Sequence, residues 1–143
     1  MCRRILLMAG LLTLLGCAGQ RPAELGVNNG ELRPCANAPN CVSSFDARDS
    51  HYMAPIVGTL GQIKEALSPV SGARIITEQV DYLYVEFTTR LMGFVDDVEF
   101  LADPVLGVVH VRSASRLGYS DLGVNRDRIE SLRARILAVG AQR

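Results

Sequence analysis

From Arg74 onward the apolar residues of this chain fall on alternate positions through four runs, residues 74–80, 82–89, 95–102 and 108–116. Successive side chains of a strand point to opposite faces, so this period commits the middle of the chain to β-sheet. Leu83, Val85 and Phe87 alternate with Tyr82, Tyr84, Glu86 and Thr88; Val98 and Phe100 alternate with Asp97 and Glu99; Val109 and Val111 alternate with His110 and Arg112. One face is apolar and the other is rich in charge. The intervals are too short for crossover helices, and Asp103-Pro104-Val105-Leu106-Gly107 reads as a hairpin loop, so four antiparallel strands in meander order are expected.

Helical spacing appears on either side of the runs. Thr59 and Gln62 have the form of a capping box, and Leu60, Ile63, Ala66 and Leu67 come next on one face until Ser68-Pro69. Near the C-terminus Asn125 is expected to cap a helix whose apolar face is Ile129, Leu132, Ile136 and Val139. The expected class is α+β: helix, four strands, helix, with the helices covering the apolar face of the sheet.

The N-terminus bears on location. Arg3 and Arg4 precede an apolar run, Ile5 to Leu15, broken only by Gly10 and Thr13. Eleven helical residues would reach about 16 Å, roughly half a hydrocarbon core, so residues 1–16 read as a signal peptide and not as a membrane span. The junction Leu14-Leu15-Gly16-Cys17 resembles the lipobox of bacterial lipoproteins, which implies cleavage before Cys17 and lipidation of its thiol. Ala18, in place of an aspartate retention signal, favours the outer membrane, facing the periplasm, in a cell with two membranes. Residues 17–33, rich in Gly, Asn, Pro and charge without apolar period, are expected to be the lipidated cysteine and a flexible tether, leaving residues 34–143 as the domain.

Loss of Arg3 and Arg4 from the 15 basic residues leaves 13 against 15 acidic ones, which argues against nucleic acid as a partner. With Cys17 acylated, Cys35 and Cys41 remain as an even pair outside the cytoplasm and are expected to form a disulfide. A reactive thiol pair and half of a zinc site are the alternatives. The second lacks the usual ligand spacing and a second cluster.

The densest polar stretch runs from Arg112 to Glu130 and includes Ser113, Ser115, Arg116, Ser120, Asp121, Asn125, Arg126 and Arg128. With Asp96-Asp97-Val98-Glu99-Phe100, Pro34-Cys35 and Pro39-Asn40-Cys41-Val42-Ser43-Ser44, it resembles DUF1499, a widespread family of bacterial envelope proteins with plant and cyanobacterial relatives. The resemblance covers nearly all of residues 34–137. It implies no activity, so the chemistry has to come from the residues.

These residues admit three readings. Arg112, Arg116, Arg126 and Arg128, with Ser113, Ser115, Ser120 and Asn125, can form an anion site at the N-terminus of the last helix, for a small anion or a lipid headgroup. The same arginines can instead be answered internally by Asp96, Asp97, Glu99, Asp121 and Glu130. Asp97 and Glu99 share a strand face, which raises a hydrolase of envelope glycan or lipid using paired carboxylates. His51 and His110 belong to no nucleophile motif, and no catalytic residue, metal or cofactor is assigned. The expectation is a non-enzymatic binding or structural domain, anchored to the membrane by lipid, with an anionic ligand or an envelope protein as partner, and with Tyr82 and Tyr84 on the binding surface.

Overall fold

The computed structural model describes residues 18–141, so the expected signal segment and Cys17 lie outside the described residues. In chain order the elements are β1 (Cys41–Ser43), β2 (Ile56–Val57), α1 (Leu60–Leu67), β3 (Ala73–Glu78), β4 (Tyr82–Thr88), β5 (Val95–Asp103), β6 (Val108–Ser115) and α2 (Val124–Gly140). The class is α+β, but the sheet has six strands and not four. Its order is β1-β6-β5-β4-β3, with β2 also paired to β6, and every named pair is antiparallel.

The two additional strands are three and two residues long, too short to display a period of two. They exist because β6 offers its outer edge: Cys41 lies opposite Ala114, and Ile56 opposite Val109. The other expected strands form as a meander. Asp103 Oδ1 accepts from the Val105 and Leu106 amides at 3.0 Å each, closing the 103–107 hairpin.

Both helices lie on the apolar face. Ile63, Ala66 and Leu67 of α1 and Ile129, Leu132 and Ile136 of α2 pack with Leu83, Val85, Val98, Phe100, Val109 and Val111 into one core. The capping box at Thr59 is formed in both directions: Gln62 N donates to Thr59 Oγ1 at 3.3 Å, and Thr59 N donates to Gln62 Oε1 at 2.9 Å. The start of α2 differs from expectation. Its cap is Gly123 at φ +87°, and Asn125 sits inside the first turn, fully buried, because its amide is engaged by β6 and the loop at Asn40.

The larger difference concerns residues 18–33. The expected tether lies instead along the charged face of the sheet. Leu32 is 1% exposed and clusters with Tyr82, Tyr84 and Leu101, joined by Leu25, Phe45 and Ile76. Asn28 and Glu31 exchange backbone hydrogen bonds at 2.9 and 3.1 Å around Asn29 (φ +52°) and Gly30 (φ +82°), the geometry of a tight hairpin turn. A polar strand face that includes Tyr82, Tyr84 and Leu101 still offers apolar area to bury, and this segment covers it.

Gly72, at φ +85°, lies where β3 begins, and its carbonyl accepts from Thr88 N at 3.0 Å. A Cβ there would meet Thr88 O at 2.4 Å. Gly72→Ala is expected to cost about 2 kcal/mol or more in urea denaturation, whereas an unchanged midpoint would mean that the β3–β4 pairing is looser than described.

Candidate functional site

The charged face is built on strand register. Glu86 of β4 lies directly opposite Asp97 of β5, and Tyr84 lies opposite Glu99, which in turn faces Arg112 of β6. Like charges on facing positions of neighbouring strands repel, and these carboxylates are also buried, with Glu86, Asp97 and Glu99 at 5%, 1% and 1% exposure. Arg116, one residue past β6, resolves the conflict. Its Nη2 donates to Glu86 Oε1 at 2.8 Å and to Asp97 Oδ1 at 2.5 Å, while Nε donates to Asp97 Oδ2 at 3.0 Å.

The remaining oxygens of this layer are also taken. Tyr84 donates its hydroxyl to Asp97 at 2.6 Å, and Tyr82 donates to Glu99 at 2.9 Å. Arg112 reaches Glu99 Oε2 at 3.2 Å, its Nε lying buried without a hydrogen-bond partner. Arg74 reaches Glu86 Oε2 at 2.8 Å. From the N-terminal segment, Arg21 Nη2 meets Glu86 at 2.6 Å, and the Gly26 amide donates to Glu99 at 2.7 Å. The covering segment is thus bonded to the layer it covers.

These partners determine the electrostatics. Burial alone would raise the Glu86 carboxyl, but the hydrogen bonds from Arg116, Arg21, Arg74 and Tyr84 outweigh it and hold the group down to about 2. Burial, with the neighbouring acids, pushes the Tyr82 and Tyr84 hydroxyls up, so both remain donors at neutral pH. Hydrogen bonding to Asp97 raises Arg116 further.

The residues expected to form an anion site separate into distinct environments. Arg112, Arg116, Asp97 and Glu99 belong to the covered layer, on the face opposite α2. Ser113 and Arg128 join β6 to α2: the buried Asn125 Oδ1 accepts from Ser113 at 2.6 Å and from Arg128, and Arg128 pairs with Asp96 and stands over the Phe87 ring. Arg126 donates to the backbone carbonyls of Ser50 and Tyr52, and Glu130 pairs with Arg133, not with the cluster. Ser115, Ser120 and Asp121 line an open cleft of about 270 Å³ with Thr89, Phe94, Leu117, Leu122 and Val124.

The N-terminus of α2 already carries an acid. Asp121 accepts from the Gly123 amide at 3.0 Å and the Asn125 amide at 2.9 Å, and these bonds hold its carboxyl low against its own desolvation. The four arginines therefore do not converge on that helix end. The internal pairing holds for Arg112, Arg116 and Arg128, with the unforeseen Glu86 as its most connected acid.

A family model described as a protein of unknown function, DUF1499, matches residues 31–136. The chain belongs to the DUF1499 family. The matched span holds the covered layer and the α2 joint, while Arg21 and Gly26 precede it. No curated protein and no solved structure matches the chain.

A second ionic knot lies at the disulfide, which joins Cys35 to Cys41 as expected, with a Cα–Cα distance of 5.6 Å. Asp46, 4% exposed, accepts from the Cys35 amide at 2.9 Å and from Arg48 Nη2 at 2.6 Å, and Arg48 donates in turn to the Cys35 carbonyl at 2.6 Å. Pairing with Arg48 holds the Asp46 carboxyl far below the usual range. Buried His51 meets the Cys41 carbonyl through Nδ1 at 3.0 Å, which gives it a place in the fold. Among the described residues no group of three or more His, Cys, Asp or Glu side chains is arranged to hold a metal ion.

Removing Arg116 leaves two facing buried carboxylates without their shared cation, so Arg116→Met is expected to cost about 3 to 5 kcal/mol in chemical denaturation. The depressed Glu86 group contributes stability that is fully present above its ordinary value of 4.5 and is lost as pH falls through about 2. Melting temperature should therefore drop over that window, and Glu86→Gln should flatten the drop; an equal slope in both proteins would contradict the pairing.

Proposed function

We propose that this chain is an envelope lipoprotein, anchored through Cys17, whose domain works by binding at the membrane surface and not by catalysis. The observation that carries the second half is that the buried carboxylates of the covered layer are all taken up by internal donors. Asp97 and Glu99 do share a strand face, but a general acid or base must reach a substrate proton, and both carboxylates are buried and bonded to arginines and tyrosines. No observation favours the glycan or lipid hydrolase. The arginines of 112–128 are likewise engaged by acids or backbone carbonyls, which leaves a protein or lipid surface as the better-supported partner than a small free anion.

The anchoring half rests on the signal-like segment 1–16 and the Leu14-Leu15-Gly16-Cys17 junction. It is supported by the segment on the C-terminal side of that cysteine, which is bonded to the domain from Arg21 onward and so holds the domain close to its anchor. In a cell with two membranes, Ala18 favours the outer membrane, facing the periplasm. Among the described residues no helix is long and apolar enough to cross a membrane.

Mass spectrometry of the protein extracted from membranes of its producing cell tests both halves. The denatured mass is expected to be that of an acylated chain beginning at Cys17, and the native mass should show no dissociable small anion. Cys17→Ser should move the protein out of the membrane fraction. A mature, unacylated wild-type chain contradicts the anchor, and a retained anion contradicts the choice of partner.

A further inference from the structure

The end of the sheet where β4 leads to β5 and β6 leads to α2 holds apolar side chains in water. In the 89–94 turn Leu91 and Met92 are 94% and 60% exposed, and in the loop before α2 Tyr119 and Leu122 are 77% and 92% exposed. Phe94, Leu117 and Leu122 line the cleft between the two loops. Leu122 is held at φ +54°, a backbone region costly for a side chain of its kind, while that side chain points into solvent. The opposite end also exposes apolar side chains, Val80, Val105 and Leu106 among them, and the course of the chain separates the two ends. A group of such residues marks a surface that meets something apolar.

The path of the chain indicates what that is. Gly19 lies against this same end: a Cβ on it would meet Leu117 Cγ at 2.9 Å and Arg116 Cγ at 3.1 Å. Cys17 is two residues earlier, so the covalent chain allows it no more than about 7 Å from Gly19. Acyl groups on Cys17 would therefore enter the bilayer beside Leu117, and not at the opposite end of β5, where the 103–107 hairpin lies.

We propose that this end of the domain is a lipid-docking surface, with Leu91, Met92, Phe94, Leu117, Tyr119 and Leu122 entering the headgroup and acyl boundary of the leaflet that holds the anchor. The inference rests on the lipid anchor at Cys17. The charges nearby suit an anionic surface. Asp96 is paired with Arg128 and Asp121 with backbone amides, while Arg90 is exposed on the 89–94 turn. Tyr119 presents an apolar ring with a polar tip, the side chain favoured at such boundaries. An acyl anchor and an adjoining apolar patch reinforce each other, since the first removes most of the cost of bringing the second to the surface.

The chain contains no tryptophan, so a single introduced indole reports without background. Leu122→Trp, Leu91→Trp and, as the far-end control, Val105→Trp are to be produced as the acylated full chain and reconstituted in phosphatidylethanolamine and phosphatidylglycerol vesicles carrying brominated acyl chains. The indoles at positions 122 and 91 are expected to shift to the blue and to be quenched about threefold more than the one at 105, as burial at the acyl boundary requires. Equal quenching at all three positions in protein whose intact mass shows acylation overturns the docking surface and leaves the anchor standing. A blue shift at 122 and 91 without quenching means that protein covers the patch, and also overturns the proposal. An unacylated intact mass overturns the anchor, and the docking with it.

Discussion

Glu86 and Asp97 face each other across two strands in the interior, and a single guanidinium, that of Arg116, bonds to both. Everything on that side of the sheet is arranged around this contact. Without it the register that places Leu83, Val85, Val98 and Phe100 in the core would also bring two anions together out of water, and strand pairing and core packing would be in conflict. With it, Glu86 becomes an anchorage for Arg74 from β3 and for Arg21 from the covering segment. Tyr84 completes the layer: its hydroxyl donates to Asp97 at 2.6 Å and stands 3.1 Å from Glu86.

The consequence for function is one of distance. A domain carried on a free linker samples a volume, but a chain bonded to its own sheet from Arg21 onward holds the domain in one relation to the start of the described residues. The apolar loops at residues 89–94 and 117–122 and the start of the described chain then lie at the same end of the domain, a juxtaposition set by where β6 delivers Arg116 and Leu117. Structural charge and surface apolarity are two results of the same turn out of β6.

Much of this fold was legible in the sequence because its period is clean. The four long strands, both helices, the 103–107 hairpin and the capping box can each be read from local residue order, and the disulfide from the cysteine count. What could not be read has identifiable causes. β1 and β2 are created by the edge of β6 and carry too few residues to show alternation. Asn125 has the composition of a cap, but long-range bonds to Asn40 and Ser115 draw it inward and leave Gly123 to begin the helix. The site was legible as a set of arginines and acids. Its division was not, because alternation places Arg112 on one face of β6 and Ser113 on the other, while Arg126 and Arg128 obey the period of a helix. Glu86 shares the face of Asp97, but what makes it a partner is the β4–β5 register that sets the two directly opposite each other. The signals for the covering segment were the Asn29-Gly30 turn and the flanking Leu25 and Leu32, which polar composition masked.

The central claim, that the buried ionic layer holds residues 21–32 against the sheet, is tested most directly by amide hydrogen exchange on the membrane-extracted protein. The account predicts that the Gly26 amide, bonded to Glu99, and the Asn28 and Glu31 amides, bonded to each other's residues, exchange far more slowly than unstructured chain. Exchange of those three amides at unstructured rates, while β4, β5 and β6 remain protected, would contradict it.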